Sequence, residues 1–190
     1  MNKPLNGIDV PALLETIEDV RRNPTQGMVR FSVASRWDGQ TRSVGQVSHY
    51  ELGGKRHERS FAIAADEPQE LLGSNRSPNP QELLLAALNA CLTVGLVANA
   101  AAMSIRIEAL EVSSEGQLDL RGFLGIDAAV GAGYNEVHYH VRLQSDAPAE
   151  KIRVLHEHVM RTSPNFANLA RGIRVVPHLH VDAGAAQQAG

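Results

Sequence analysis

The sequence contains one cysteine, Cys91, and few aromatic residues, which make up 4% of its 190 residues. A single cysteine forms no disulfide within the chain and cannot supply the several thiolates of a structural zinc site. A protein without internal disulfides suits a reducing compartment, so we expect a cytoplasmic location. Because aromatic side chains are scarce, the core must consist mainly of Leu, Val, Ile and Ala.

An excess of charge is also missing, since 18 Lys and Arg stand against 21 Asp and Glu. This balance argues against nucleic acid as a default partner. The N-terminus has no apolar run behind a basic start, so we expect no signal peptide. The sequence patterns of phosphate-binding loops and serine hydrolases are lacking as well, and we expect no cofactor.

The chain is expected to divide into three parts: a leader over 1–27, a folded domain over 28–182 and a flexible tail over 183–190. The leader is predicted to be helical, because Pro11 suits a helix start and Asn23-Pro24 a helix end. Between them apolar residues recur at helical spacing: Leu13, Leu14, Ile17 and Val20.

Strand patterns on both sides of an apolar helix predict an α+β fold for the domain. An antiparallel meander is expected at its N-terminal end, with strands over 28–37, 42–50 and 59–64. Further strands are predicted over 105–112, 118–126, 137–143 and 175–181. A second, amphipathic helix should begin at Pro148 and end at Pro164.

The central helix has the clearest start, because Asn79 can cap it, Pro80 suits its first position and Glu82 can complete a capping box. Residues 83–103 are apolar on nearly every face, which predicts a helix buried all round. A membrane span is the alternative at this length. The run is rich in alanine, holds two asparagines and lacks aromatic anchors, so we favour a core helix. One small domain can hardly surround it, and we therefore expect a homo-oligomer.

Cys91 lies in the middle of this helix, where two interpretations compete. A free cysteine is often only a small buried hydrophobe. A reactive thiol there gains nothing from the helix N-terminus, so a nearby Arg or other cation must stabilise the thiolate. The sequence offers several such cations without choosing among them.

A dense sequence pattern leads up to this cysteine. It consists of Asp66-Glu67-Pro68, Gly73 and the run Pro78-Asn79-Pro80-Gln81-Glu82-Leu83-Leu84-Leu85-Ala86-Ala87-Leu88-Asn89-Ala90-Cys91. The pattern resembles the central motif of OsmC-like proteins, and the order of elements extends the resemblance over about 28–181. The resemblance implies the OsmC-like fold and an intertwined homodimer with its sites at the interface.

In the peroxide-reducing branches of that family, the helix cysteine attacks the peroxide oxygen and becomes a sulfenic acid, which a second cysteine resolves. Cys91 matches the attacking position. The activating Glu would follow Pro80, where this chain has Gln81; Glu82 is turned about 100° round the helix and should serve as the capping acid. The position of the resolving cysteine holds Ser163, which forms no disulfide.

The resemblance also implies an Arg from the first strands that holds the thiolate. Arg36 and Arg42 are the candidates, and we prefer Arg36 because it directly precedes the turn at Trp37-Asp38-Gly39. Two H-x-H pairs, His138/His140 and His178/His180, have the spacing for metal binding on a strand face. We predict no metal site, because His138 and His140 alternate with apolar residues and should lie on an outer face.

Because Gln81 and Ser163 depart from the pattern of the peroxide-reducing branches, we consider two functions. The first is a single-cysteine, thiol-dependent peroxidase in stress defence, which acts on organic hydroperoxides or related electrophiles through Cys91 and Arg36, with Gln81, Glu82 and Ser163 lining the substrate pocket. It needs an external thiol reductant. The second is a noncatalytic dimer that binds a small hydrophobic ligand at the subunit interface. Neither involves a membrane or a nucleic acid.

Overall fold

The computed structural model describes residues 4–181, so the tail predicted over 183–190 lies outside the described part. The structure is an α+β fold with two antiparallel sheets. Its helices are α1 (Val10–Arg22), α2 (Pro80–Ala102), α3 (Leu120–Phe123), α4 (Ala149–Thr162) and α5 (Pro164–Arg171). Its strands are β1 (Val29–Phe31), β2 (Ala34–Trp37), β3 (Ser43–Leu52), β4 (Lys55–Ala65), β5 (Ala109–Gly116) and β6 (Val137–Gln144).

The N-terminal meander forms a four-stranded sheet in which β3 is central. Strands β1 and β2 pair with one edge of β3, and β4 pairs with the other. The single strand predicted over 28–37 is therefore two short strands. The pairing of β3 with β4 shifts register at a bulge between Val47 and His49, and on the other edge of β3 the break between β1 and β2 lies at the same level. A bulge adds a residue to one strand, which breaks the pairing locally.

The second half is built around α2. Asn79 accepts a hydrogen bond from the N–H of Glu82, and the carboxylate of Glu82 accepts one from the N–H of Asn79, both at 2.8 Å. The predicted capping box is thus present. α2 packs against β5, α4 and α5. The buried core consists of Leu88, Leu92, Leu96, Ala100, Ile105, Leu155 and Val159.

Helix α1 begins at the cap Asp9, whose carboxylate accepts a hydrogen bond from the N–H of Ala12 at 3.1 Å. Ahead of it, Asn6 ties the leader to the second half of the chain. Its amide donates to the carbonyl of Ile105 and accepts from the N–H of Ile107, each at 2.9 Å. The leader therefore contacts the same unit that carries Cys91.

Two predicted strands are wrong. Residues 118–126 contain α3, because the carboxylate of Asp119 accepts a hydrogen bond from the N–H of Arg121 and so favours a helical turn. Residues 175–181 form no strand in the single chain, and their large apolar side chains are exposed. Alternation indicates only that a segment suits a strand, and this segment has no pairing partner within residues 4–181.

Two further boundaries differ from the prediction. The strand predicted over 105–112 begins later, at Ala109, because Ile105 is buried against the end of α2. Pro164, predicted only to end the second helix, also opens α5, a helix absent from the sequence prediction. Proline suits the first position of a helix as well as it ends the preceding one.

The expectation that α2 is buried all round is wrong for the single chain. One face carries the core, but an apolar stripe on another face is exposed: Ala86, Ala90 and Val94. The side chain of Val94 is 69% exposed. By length and composition α2 could cross a membrane, and it is the one such helix in the described part of the chain. Apolar residues of the N-terminal sheet, including Phe31, Trp37 and Phe61, are exposed too.

A buried carboxylate, Asp66, fixes the loop that leads to α2. It accepts hydrogen bonds from the hydroxyls of Ser74 at 2.6 Å and Thr41 at 2.9 Å, and from the N–H groups of Glu67 and Arg76. These donors hold the pKa of Asp66 well below its usual range, and the hydroxyl of Ser74 makes the largest contribution. Asp66 thus joins the turn after β2 to the approach of α2.

We expect Asp66→Asn to lower the melting temperature by several degrees at neutral pH, because an amide cannot accept all of these bonds. The folded-state pKa is below the unfolded value of about 3.9, so the contribution of the carboxylate is present above that pH and is lost as the pH falls. The difference in melting temperature between Asp66→Asn and wild type should therefore become smaller below about pH 4. Thermal unfolding against pH measures this difference, with Asp146→Asn, a change at an exposed carboxylate, as control. A gap independent of pH would contradict it.

Candidate active site around Cys91

Cys91 lies at the border between the two faces of α2. Its neighbours Leu88 and Leu92 belong to the core, whereas Ala90 and Val94 are exposed. The thiol itself is half-buried. One turn further on, a Cβ added at Gly95 would lie 2.9 Å from Cγ1 of Val159, so glycine allows α4 to approach α2 closely there. Cys91 is therefore held near the end of α4 without being sealed in the core.

The hydroxyl of Ser163 lies beside this thiol, with Oγ 3.3 Å from Sγ of Cys91. Ser163 separates α4 from α5, and its side chain is nearly inaccessible, since the residue is 4% exposed. Its N–H donates to the carbonyl of Val159 at 2.8 Å, while its Oγ accepts from the N–H of Phe166 at 3.3 Å. Ser163 thus places the first turn of α5 beside the middle of α2.

Asn165 is a residue of this site that the sequence reasoning missed. Its amide donates to the carbonyl of Ala87 at 2.8 Å, one helical turn before Cys91. This bond anchors the first turn of α5 on α2. The signal that could have found it is the run Ser163-Pro164, which reads as a helix start because serine is a good cap and proline a good first residue.

Gln81 and Glu82 are separated as their positions on the helix predicted. Glu82 is exposed and completes the capping box, whereas Gln81 is half-buried and lines a cleft of about 580 Å³. The cleft is mostly apolar, with Leu84, Leu88, Val137, Tyr139, Phe166, Leu169 and Ala170 among its walls, and Asn135 and Glu136 line it as well. Cys91 lies one turn along α2 from Leu88 but is not itself among the residues that line the cleft. An apolar group could occupy the cleft within one helical turn of Cys91.

Tyr139 forms a wall of the cleft. Its hydroxyl is 2.9 Å from Nε2 of His156, and its ring meets that of Phe166 edge to face at 6.2 Å. Burial raises the pKa of Tyr139, so its phenol stays protonated and can donate to the imidazole. These contacts fix the wall beside the first turn of α5.

The two candidate arginines lie away from this cluster in the single chain. Arg36 is exposed on β2, where it pairs with Val44 across the sheet. Arg42 forms an ion pair with Asp38 at 3.3 Å. Within residues 4–181 the hydrogen-bond partner of the Cys91 thiol is Ser163, and neither guanidinium is bonded to it. One chain thus brings Cys91 and Ser163 together but supplies no cation to the thiol.

The histidine pairs do not converge. His138 and His140 point to the outer face of β6, where His138 lies 3.1 Å from Glu136. His178 and His180 do not share a strand face as predicted, because residues 175–181 form no strand. Across the described part of the chain, no three His, Cys, Asp or Glu side chains are grouped as a metal site would require.

Comparison with known proteins gives a consistent picture. The family model described as OsmC-like protein matches residues 73–177. No protein with a curated function matches the sequence. Among solved structures, an OsmC-like protein from Mycoplasma pneumoniae is similar with a TM-score of 0.59 and 17% identity, over 76% of this chain and 89% of that chain.

Two organic hydroperoxide resistance proteins are also similar in structure. One, from Legionella pneumophila, gives a TM-score of 0.50 at 20% identity, over 75% of this chain and 90% of that chain. The other, from Elizabethkingia anophelis with bound thiocyanate, gives 0.51 at 19% identity over the same shares, 75% and 90%. At these identities the similarity establishes the fold alone.

Proposed function

This chain belongs to the OsmC-like protein family, and from that premise we propose that it is a single-cysteine, thiol-dependent peroxidase that reduces organic hydroperoxides. The observation that carries the proposal is the position of Cys91. Cys91 is half-buried, and its sulfur lies 3.3 Å from Oγ of Ser163 at the start of α5. Leu88, one turn earlier on α2, lines a largely apolar cleft that suits the organic part of a hydroperoxide. Such a protein would serve peroxide defence in a reducing cytoplasm.

The proposed reaction has two stages. The thiolate of Cys91 attacks the terminal oxygen of the hydroperoxide, so that an S–O bond forms, the O–O bond breaks and the alkoxide leaves with a solvent proton as an alcohol. An external thiol then attacks the sulfenic sulfur and releases water, and a second thiol reduces the mixed disulfide. The external reductant is required because the chain holds no second cysteine.

We also propose that two copies form an intertwined homodimer. A single chain leaves the stripe at Val94 and the apolar face at Phe31 and Trp37 exposed, which is unusual for a stable monomer. An arginine from the partner, Arg36 in preference to Arg42, would then complete the site at Cys91. In this arrangement residues 28–182 are the catalytic unit, and the leader over 1–27 is a separate segment of the chain.

A noncatalytic role is the second candidate. It is favoured by Gln81, which stands where the activating glutamate of the peroxidases would be and carries no charge. The apolar cleft would then bind a small hydrophobic ligand. On this alternative, Cys91 reacts as slowly as a free thiol, and Cys91→Ser leaves ligand binding unchanged.

The test measures how fast the purified protein loses its thiol to an organic hydroperoxide and to hydrogen peroxide, with Cys91→Ser as the blank. We expect loss at least about a hundredfold faster than for a free thiol, because a positioned thiolate is the reactive species. We also expect the organic hydroperoxide to react faster, since it can use the cleft. A rate equal to that of free cysteine would exclude the peroxidase.

A further inference from the structure

We infer that Ser163 is a positioning residue of the Cys91 site, which orients the sulfur and donates its hydroxyl proton in a hydrogen bond to the attacking thiolate. This inference rests on the proposed peroxidase function, in which the thiolate is the attacking species. Ser163 stands where the peroxidases have their second cysteine, and it cannot form a disulfide. Its contact with Cys91 gives it a positioning role instead.

The hydrogen bonds of Ser163 leave its proton for Cys91. A hydroxyl has one proton to donate and two lone pairs that accept. One lone pair accepts the N–H of Phe166, and the second close partner of Oγ is Sγ of Cys91 at 3.3 Å. A thiolate carries no proton, so when Cys91 is ionised the serine must be the donor in this pair.

Burial makes the orientation persistent. Ser163 is 4% exposed, and its backbone is fixed by the bond to Val159 on one side and by Pro164 on the other. Asn165 anchors the same turn of α5 on the carbonyl of Ala87. Because water has little access to Oγ, the hydroxyl has few acceptors that compete with the sulfur, and a buried hydrogen bond to a charge is strong.

The N-terminus of α5 strengthens the effect. The first N–H groups of a helix carry partial positive charge, and Ser163 binds one of them through the oxygen that faces Cys91. Polarisation by the N–H of Phe166 makes the hydroxyl a better donor. Within one chain this arrangement places a polarised hydrogen-bond donor 3.3 Å from the sulfur of Cys91.

Ser163 takes no part in the electron balance. Cys91 supplies the electron pair for the S–O bond, and the alkoxide takes its proton from solvent, so the serine hydroxyl has the same proton before and after the step. Its contribution is to orient the sulfur and to donate a hydrogen bond to the thiolate. We therefore expect its removal to slow the oxidation of Cys91 without changing the product.

The experiment compares Ser163→Gly with Ser163→Thr. Glycine remains an acceptable helix cap, so Ser163→Gly removes the hydroxyl while costing α5 little stability. We expect the rate constant for thiol loss to hydroperoxide to fall roughly tenfold to a hundredfold, because a hydrogen bond to a charged group has this value. Threonine keeps both the cap and the hydroxyl, and its rate should stay within about threefold of wild type.

Alkylation by iodoacetamide separates this inference from the proposed function, since it also requires the thiolate but no peroxide chemistry. If wild-type Cys91 fails to react quickly with hydroperoxide, the peroxidase is excluded, yet slower alkylation of Ser163→Gly than of wild type still supports the positioning role. Equal alkylation rates of Ser163→Gly and wild type overturn it. Thermal unfolding of each variant checks that the helix junction is intact, and a slow Ser163→Thr with normal stability would also overturn it.

Discussion

Ser163→Cys is expected to convert Cys91 from a thiol that needs an external partner into one half of an internal disulfide. Oγ of Ser163 is 3.3 Å from Sγ of Cys91, and a disulfide bond is about 2 Å long, so the two sulfurs need to approach by only about 1 Å. After hydroperoxide oxidises Cys91, the introduced thiol can attack the sulfenic sulfur, form the S–S bond and release water.

The two proteins should differ in the product that one equivalent of organic hydroperoxide leaves. Wild type should yield a sulfenic acid that dimedone traps, whereas Ser163→Cys should lose both thiols and resist dimedone. A reductant that favours disulfides should then support turnover of the variant. Mass spectrometry with thiol counting reads each outcome.

A matched control places the second cysteine elsewhere. Ser113→Cys lies on β5 opposite His140, on the outer face of that sheet, and its thiol should stay reduced when Cys91 is oxidised. If Ser163→Cys folds normally and its Cys91 still ends as a sulfenic acid, the hydroxyl does not occupy the resolving position.

Local chemistry explains which elements the sequence could predict. The start of α2 depends on Asn79, Pro80 and Glu82, three neighbours whose bonds are with one another. The meander depends on alternation and on the turn at Gly53-Gly54, where both glycines take positive φ. Such features need no knowledge of distant residues, and the structure contains them within a few residues of the expected positions.

Features that depend on a distant partner were missed. Residues 175–181 alternate like a strand, but a strand exists only when another edge pairs with it. α5 was hidden because Pro164 reads equally as a stop and as a start. The apolar face of α2 at Val94 was expected to be covered, yet what covers it cannot be read from periodicity.

The residues of the candidate site also fall into those that local sequence predicts and those that depend on distant parts of the chain. The contrast between Gln81 and Glu82 follows from the angle between adjacent helix positions, and it holds in the structure. Neither spacing nor periodicity relates Ser163 to Cys91 across 72 positions; only the family resemblance aligned it with the second cysteine. The preference for Arg36 over Arg42 remains a prediction, because within one chain neither guanidinium is hydrogen-bonded to the thiol of Cys91.

Val94→Glu should have a large effect on assembly. In one chain the side chain of Val94 is 69% exposed, so a glutamate there would be harmless to an isolated monomer. In the proposed dimer the same position is buried on both copies, and each unpaired buried charge costs several kcal/mol. We expect the dissociation constant of the dimer to rise by about a thousandfold or more, and the melting temperature to fall.

Analytical ultracentrifugation over a range of protein concentrations tests this, with Val154→Glu as the matched control. Val154 is also a partly exposed valine, on the outer side of α4, so the same change in charge should leave the dimer intact. If Val94→Glu dimerises like wild type, the stripe on α2 is not the interface. If wild type is a stable monomer in water at micromolar concentration, the dimer itself is excluded, and with it the supply of Arg36 by a partner. A dimer lost only in Val94→Glu would instead tie the exposed face of α2, and the thiol at its border, to a second copy of the chain.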